Sequence, residues 1–594
     1  MAIQHDDVSM IKSAALDPSG PPPLSAAFLI KFDLKIGYTI TWKRSAPGVP
    51  LDGSVEFKSL PSGLHGVKED LVYFVEDQYA GLSAFVNAPA GEEERNAALV
   101  AVGILIPLSN GNARLGRGWL HAQRLRDMAR ILAHDCLRTD ILEQFWEEHK
   151  AYVEDEAHVT EISNGSLGNT SPKQHSRRRA LSNLINVITD DKTLPLFHPA
   201  LSMMEFVDTF GPLIFPLWRV ALLRKRIVLM TAPPVKRACE FVFDISILSN
   251  MPSSLSELLS QDTERLQRIR PLFQIGIHDI PLLEREATAI REAMRERPAD
   301  EGDHTYGPFG FLACTTDEIL ALKKELYDIM VELPPVSEHV PEQRGWPIIR
   351  TADGSVIKAT QRDLRRWNLL HSEFTKIRDS VTTYEDGDDD ENDSEDPEDD
   401  YSRSILQSAT SRESSMDDPG YDENLIEPMT WSQLAYSGFM WWASAGEHDT
   451  ALAEEDEKER HIIGHLVDHV PMKPGITRAN SNGKSRSISS SHAGIHAEDA
   501  GLHTGIIAYF HRLTGQLVST LVDIIEDADE NTTGESEVDD KEVIHIGTDD
   551  IGRMGLDVWS TNSVEFVSDV ARMYFGREVV VHGGSVECCG LRVC

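Results

Sequence analysis

Apolar residues recur at three- and four-residue spacing from 203 to 223: Met203, Met204, Phe206, Val207, Phe210, Leu213, Ile214, Leu217, Trp218, Ala221 and Leu222. They cover more than one face of the helix that this spacing predicts, so the helix must be buried. Asp208, Pro212 and Pro216 interrupt the run and its ends are polar. A core element therefore fits better than a membrane span. Arg224, Lys225 and Arg226 close it at the negative end of the helix dipole, and 227–230 reads as a short strand buried on both faces.

Upstream, Phe28, Ile30 and Phe32 alternate with their neighbours, residues 33–37 turn, and Tyr38, Ile40 and Trp42 alternate again, which predicts a hairpin. A short helix over 55–64, strands over 71–75, 82–86 and 99–108, and one or two amphipathic helices over 119–154 come next. Together they make a first α/β unit, 24–155, after a disordered stretch, 1–23. A polar linker over 156–180 separates it from a larger second α/β unit, 181–380, whose expected parts begin with a helix over 180–188 and the central stretch. The pattern then predicts a helix over 235–247, strands over 271–277 and 309–314, and a helix over 317–330 capped by Thr316. A hairpin over 346–358 turns at Asp353-Gly354, and a helix running to about 377 opens on a capping box from Thr360 to Asp363.

Beyond it, residues 381–428 form an acidic and Ser-rich linker expected to be disordered. The C-terminal α+β region, 429–594, is expected to pack on the second unit. It holds a segment over 431–445 that reads as a buried helix or an exposed anchor, with burial the expectation, a flexible loop around 472–498 and an amphipathic helix over 505–525. Strands at 543–546 and 579–581 flank a helix over 562–574.

Composition narrows the function. The 594 residues carry a net charge of -39, and residues 385–400 alone hold twelve acidic side chains and no basic one. Such a surface argues against broad electrostatic binding to nucleic acid or anionic lipid and leaves room only for local basic patches, so no nucleic-acid partner is expected. Six Cys are too few for a disulfide framework; Cys136, Cys239 and Cys314 sit among apolar residues as buried thiols do, which fits a reducing cytoplasm. The opening MAIQHDDVSM has no charged-then-apolar signal pattern.

The blocks FLIKFDLKIGYTITWKRS, FKSLPSGLHGVKEDLVYFVEDQYAGLSAFVN, LFHPALSMMEFVDTFGPLIFPLWRVALLRKRIVL and LFQIGIHDI together resemble the LCHN-like branch of the DENN-domain family over roughly residues 25–380. SGFMWWASAGE and YFGREVVVHGGSVECCGLRVC resemble an uncharacterised region at the end of fungal members. The resemblance implies a longin-like (uDENN) α/β sandwich followed by a DENN module. It also implies guanine nucleotide exchange on a Rab-type small GTPase in membrane trafficking, by stabilising the nucleotide-free GTPase. The rival reading is a non-catalytic DENN-fold adaptor or scaffold that binds a GTPase or another trafficking partner. Either way the expected location is cytoplasmic and peripheral on endomembranes through partners, with no transmembrane segment.

Exchange breaks no covalent bond, and the chain holds no P-loop motif, no G-x-S-x-G, no H-E-x-x-H and no paired C-x-x-C. No catalytic residue and no cofactor is expected. GTPase-contact candidates are Asp33 and Lys35 at the first hairpin turn and His278 and Asp279 in the 276–280 loop; taken singly, Asp33 and Lys35 read more readily as turn residues and His278 and Asp279 as helix caps. His461, His465 and His469, spaced by four, are a weak metal candidate. Gly464 and Pro471 disrupt the helix, and a surface histidine stripe is the commoner meaning.

Overall fold

Ala26–Asp33 (β1) and Gly37–Ser45 (β2) form the expected antiparallel hairpin, with a register irregularity between Leu29 and Ile30 and Gly37 at φ 88 closing the turn. The structure is a computed structural model and describes residues 20–33, 35–89, 97–108, 116–150, 194, 196–255, 259, 266–295, 310–335, 345–383, 425–443, 447–468, 495–532, 544–584, 586–588 and 591–593. The expected helix over 180–188, the linker over 156–180, and most of the 1–23 stretch, the 381–428 linker and the loop around 472–498 lie outside these residues.

After Val55–Lys58 (α1), Glu69–Glu76 (β3), Tyr79–Pro89 (β4) and Ala97–Pro107 (β5) complete a five-stranded antiparallel unit in the order β3-β4-β5-β1-β2. Both of its faces are covered, which is why β5 is buried almost throughout rather than alternating. Ala122–His134 (α2) and Asp140–His149 (α3) bury Leu125, Leu132, Leu142 and Phe145 in the main core, which holds one face of this unit. Leu51, Val55, Leu60 and Leu64 cover the other, over Phe28, Phe74 and Phe85. Gly81 and Gly103 stand opposite Phe74 and Phe28 and leave room for their rings; a Cβ at either glycine would lie 2.3 Å from the ring.

The central stretch is buried as its pattern requires, but it is not one helix. Met203–Phe210 (α4) and Ile214–Leu222 (α5) are separated by a tight turn, Gly211–Leu213. Gly211 has φ 53, and the ring of Trp346 lies 2.5 Å from where its Cβ would be, so the chain breaks where a glycine precedes Pro212. By length and composition Pro199–Leu222 could cross a membrane, yet 78% of its apolar window is buried inside the protein. Arg224, buried at φ 50, ends the helix; its guanidinium donates to the carbonyls of Leu266, Ser249 and Ala221.

Ile227–Met230 (β6) then enters a parallel sheet. Lys236–Leu248 (α6), Arg270–Gln274 (β7), Ile280–Arg295 (α7), Phe311–Thr315 (β8), Glu318–Leu322 (α8) and Ile329–Glu332 (β9) come after it, with β7, β8, β6 and β9 as parallel neighbours. Ile348–Thr351 (β10) and Val356–Ile357 (β11) add the expected hairpin, Gly354 at φ 104 in its turn.

The two α/β units do not keep separate sheets. β3 and β7 meet antiparallel at the single pair Phe74–Phe273, joining everything into one eleven-stranded sheet ordered β11-β10-β9-β6-β8-β7-β3-β4-β5-β1-β2. Asp70 on β3 reinforces the join, its carboxylate accepting the amides of Val235 and Lys236 at 2.7 and 3.1 Å at the start of α6.

The expected helix over 317–330 is a correction. Thr316 caps nothing: its hydroxyl is buried without a partner, and the Asp317 amide donates instead to Thr315 Oγ1 at 3.1 Å. The helix stops at Leu322 because Ile329–Glu332 pairs in parallel with β6, and strand pairing overrides the local helical pattern. Gly310, just before β8, permits that packing. A Cβ there would lie 1.9 Å from the Arg224 carbonyl oxygen and 2.5 Å from that of Lys225, backbone atoms with no rotamer to yield. Gly310→Ala is expected to lower stability by about 2–3 kcal/mol, read as a shifted urea transition; a loss under about 0.5 kcal/mol would mean this corner relaxes freely.

The capping box is formed: Thr360 N–H donates to Asp363 Oδ2 at 2.9 Å and Asp363 N–H to Thr360 Oγ1 at 3.1 Å, opening Gln361–Thr383 (α9). Trp431–Ala443 (α10) is a helix, but the expected burial fails over its described side chains. Trp431 is 86% exposed, and Leu434, Tyr436 and Phe439 are also exposed. Its apolar residues are distributed around the helix and so define no single inward face.

Glu447–Asp468 (α11) and the long Ile495–Thr532 (α12) are next, then Ile544–Ile546 (β12), Thr548–Arg553 (α13), Thr561–Val570 (α14) and Val579–Val581 (β13), which pairs in parallel with β12. This region lies against α5. Phe510 sits 5.5 Å from the ring of Phe215 and 5.9 Å from that of Trp218, and Tyr574 Oη donates to the Leu222 carbonyl at 2.7 Å.

Candidate functional site

The seam between the two halves of the sheet is built from α1, the end of β3 and the 276–280 loop. Lys58 on α1 is buried, and its ammonium reaches the Val75 carbonyl at 2.7 Å, Glu76 Oε2 at 2.7 Å and Asp279 Oδ1 at 2.8 Å. Burial pulls the ammonium's pKa down, but the charges of Asp279 and Glu76 outweigh it and leave it raised, so Lys58 stays charged. Asp279 uses its other oxygen to accept the Gly276 amide at 2.9 Å and fix the loop. One residue earlier, His278 stacks on Phe57 with ring centroids 3.8 Å apart. Asp317 completes the join: Ser62 Oγ donates to its Oδ1 at 2.5 Å and the Ile277 amide to its Oδ2 at 3.1 Å. Behind the seam, burial raises the pKa of Asp70, and its three backbone hydrogen bonds oppose that rise.

Exposed apolar side chains stand on the segments that flank this braced join. Leu322 is 80%, Ile319 54% and Ile277 45% exposed; Leu282 and Phe57 are exposed beside them. Leu320, between the exposed Ile319 and Leu322 of α8, is buried with Leu283 and Leu326 and anchors that helix. A preformed seam capped by apolar side chains from both halves is suited to gripping a protein surface.

Of the four contact candidates, His278 and Asp279 sit at this seam, His278 on its surface and Asp279 buried as a strut. Asp33 and Lys35 are not brought there. Asp33 accepts the amides of Lys35 at 2.7 Å and Ile36 at 3.1 Å, and these bonds hold its carboxyl below the usual range. The register aligns Ala26 with Leu105 and Lys31 with Val100, which puts Asp33 at the opposite end of the strands from Glu76. Measured along the strands the offset is roughly 30 Å at about 3.3 Å per residue. Phe57, Ile319 and Leu322 were not singled out by sequence; the available signal was an excess of apolar residues in EILAL beyond what one buried face of a short helix needs. His461 and His465 lie on α11, and His469 is outside the described residues. Among the described residues no group of three or more His, Cys, Asp or Glu is placed to hold a metal.

A family model described as DENN domain-containing protein 11 matches residues 27–343, more than half of the chain, and a second, described as Domain of unknown function (DUF4484), matches residues 426–594. The DENN domain-containing protein 11 of Danio rerio is 30% identical over 349 residues, covering 59% of this chain and 61% of that protein. That of Mus musculus is 29% identical over 351 residues, covering 59% and 65%. The chain thus spans less than two thirds of the length of these vertebrate relatives. Uncharacterized protein ANR2 of Saccharomyces cerevisiae is 24% identical over 607 residues, covering 96% of this chain and 94% of its own. The chain belongs to the DENN domain family. Within that family it is a homologue of DENN domain-containing protein 11, and its fungal relative ANR2 aligns through the C-terminal region as well.

Proposed function

We propose that the chain binds a Rab-type small GTPase and acts as its guanine nucleotide exchange factor in membrane trafficking. The observation that carries this reading is the exposed apolar set Phe57, Ile277, Leu282, Ile319 and Leu322 on a seam braced by Lys58, Glu76 and Asp279. An exchange factor must hold the nucleotide-free GTPase more tightly than the loaded one, and differential affinity alone shifts that population. A braced, two-sided surface suits this task because it need not reorganise as the switch segments of the GTPase order and disorder. Membrane recruitment then comes from the GTPase partner. The test is capture of Rab GTPases stripped of nucleotide with EDTA against the same proteins loaded with a non-hydrolysable GTP analogue. At least about 100-fold tighter binding of the stripped form, or about 2.7 kcal/mol, is expected for one Rab. Equal affinity for both forms would replace the exchange reading with that of an adaptor.

A further inference from the structure

A second feature lies far along the chain from the seam, where α9, α11, α12 and α13 converge around a cleft of about 590 Å³. Arg362 and Arg366, on successive turns of α9, form its wall. Arg362 reaches Glu455 and the Leu556 carbonyl; Arg366 donates to the Gly555 carbonyl at 2.5 Å and lies 3.6 Å from Glu459 Oε1. That same Glu459 oxygen already accepts from Tyr509 Oη at 2.6 Å. Both acids in the lining are therefore engaged. Two further cations, Lys458 and Arg512, stand exposed in the lining and make no ion pair among the described residues.

The lining carries four cations and two carboxylates in a chain whose net charge is -39. Burial and the neighbouring Arg366 charge lower the pKa of Arg362, opposed by Glu455 and Asp557. Burial lowers the pKa of His511, also in the lining, and the bond of its ring to the Ile247 carbonyl at 3.0 Å opposes that shift. Gly515 and Gly552 leave the space open, since a Cβ at either would meet nothing within 4 Å. Four cations against two engaged carboxylates in a space larger than a single phosphate needs call for a multiply charged anion.

We propose that this cleft binds a multiply phosphorylated small molecule, its phosphate oxygens taken by Lys458 and Arg512 and by the free donors of Arg362 and Arg366. The same chemistry is offered by a soluble inositol phosphate and by a phosphoinositide headgroup, and the experiment separates them. The full chain is titrated calorimetrically with myo-inositol hexakisphosphate and floated with phosphatidylcholine vesicles containing phosphatidylinositol 4-phosphate. Lys458→Glu combined with Arg512→Glu is the test variant, because both side chains are exposed and make no ion pair among the described residues, and the change leaves the core intact. Lys35→Glu, at the exposed turn of the first hairpin, is the charge control.

Saturable binding that falls at least about tenfold in the double variant and stays within about twofold in the control is the expected result, with weaker binding at higher salt. Binding of the soluble probe alone assigns the ligand to solution; binding of vesicles, lost in the same variant, assigns it to the membrane. Absence of saturable binding to both probes, or binding that the double variant leaves unchanged, overturns the proposal. Neither variant touches the seam, so failure here is distinguishable from failure of the GTPase reading.

Discussion

Replacing Arg219 with Met is expected to cost about 3–5 kcal/mol and to collapse the packing between α5 and α9. Arg219 donates to both oxygens of Asp363, at 2.9 and 2.6 Å, inside the core, and the Asp363 side chain is only 4% exposed. Removing the guanidinium leaves a buried carboxylate whose remaining partner is the Thr360 end of the capping box, and an unpaired buried charge is far more costly than a missing contact. Burial pushes the Asp363 carboxyl up, but the Arg219 charge and hydrogen bonds overcome it and hold the pKa below its ordinary value. A depressed folded-state pKa adds stability above the unfolded carboxylate value, and that stability is lost as pH falls through the folded value.

Arg219→Met leaves burial to push the Asp363 carboxyl up, so it should reverse this acid dependence while lowering stability at neutral pH. Arg219→Met with Asp363→Leu, which replaces the pair by apolar groups, should recover most of the loss. Urea unfolding followed by Trp fluorescence at pH 7 and pH 4 reads both effects. The pair does not brace the two helices if the single variant costs less than about 1 kcal/mol or the double variant recovers nothing.

The second large effect is on binding. Ile277→Asp together with Leu322→Asp puts two charges in the middle of the apolar cap on the seam. Buried interface anchors are worth about 2 kcal/mol or more each, so affinity for the GTPase should fall at least about 100-fold. Both positions are exposed in the free protein, so stability should move by less than about 0.5 kcal/mol and a folding defect would not explain the loss. The companion variant is Lys35→Glu at the far hairpin, with little effect expected. A loss from Lys35→Glu and none from the seam variant would move the contact surface to the other end of the first unit.

Sequence patterning located the hairpins, the helical stretch over 119–154, the strands over 227–230, 271–277 and 309–314 and the buried central stretch, because each has its own period and punctuation, and the Thr360 capping box is a local motif. It failed where distant contacts decide. The continuous sheet depends on one pair, Phe74 with Phe273, which leaves no periodic trace. Ile329–Glu332 reads as the tail of a helix until β6 offers it a parallel partner. The aromatic density of α10 reads as core, yet Trp431 points into solvent.

For the candidate site the difficulty is the same. Asp279 looks like a loop cap in sequence, and only the fold shows that it also neutralises Lys58 from a different part of the chain. Asp33 has the same appearance and is indeed occupied by its own turn. Ile319 and Leu322 matter because they face outward, and orientation on a helix of five residues is below what periodicity can resolve.

The rate of mant-GDP release from a panel of Rab GTPases, measured with the full chain and with the Ile277→Asp, Leu322→Asp variant, tests the central claim most directly. The account predicts that one Rab loses nucleotide at least about tenfold faster with the full chain, a barrier change of about 1.4 kcal/mol, and that the seam variant abolishes the acceleration. Release at the intrinsic rate from every Rab, or acceleration that survives the seam variant, would contradict it.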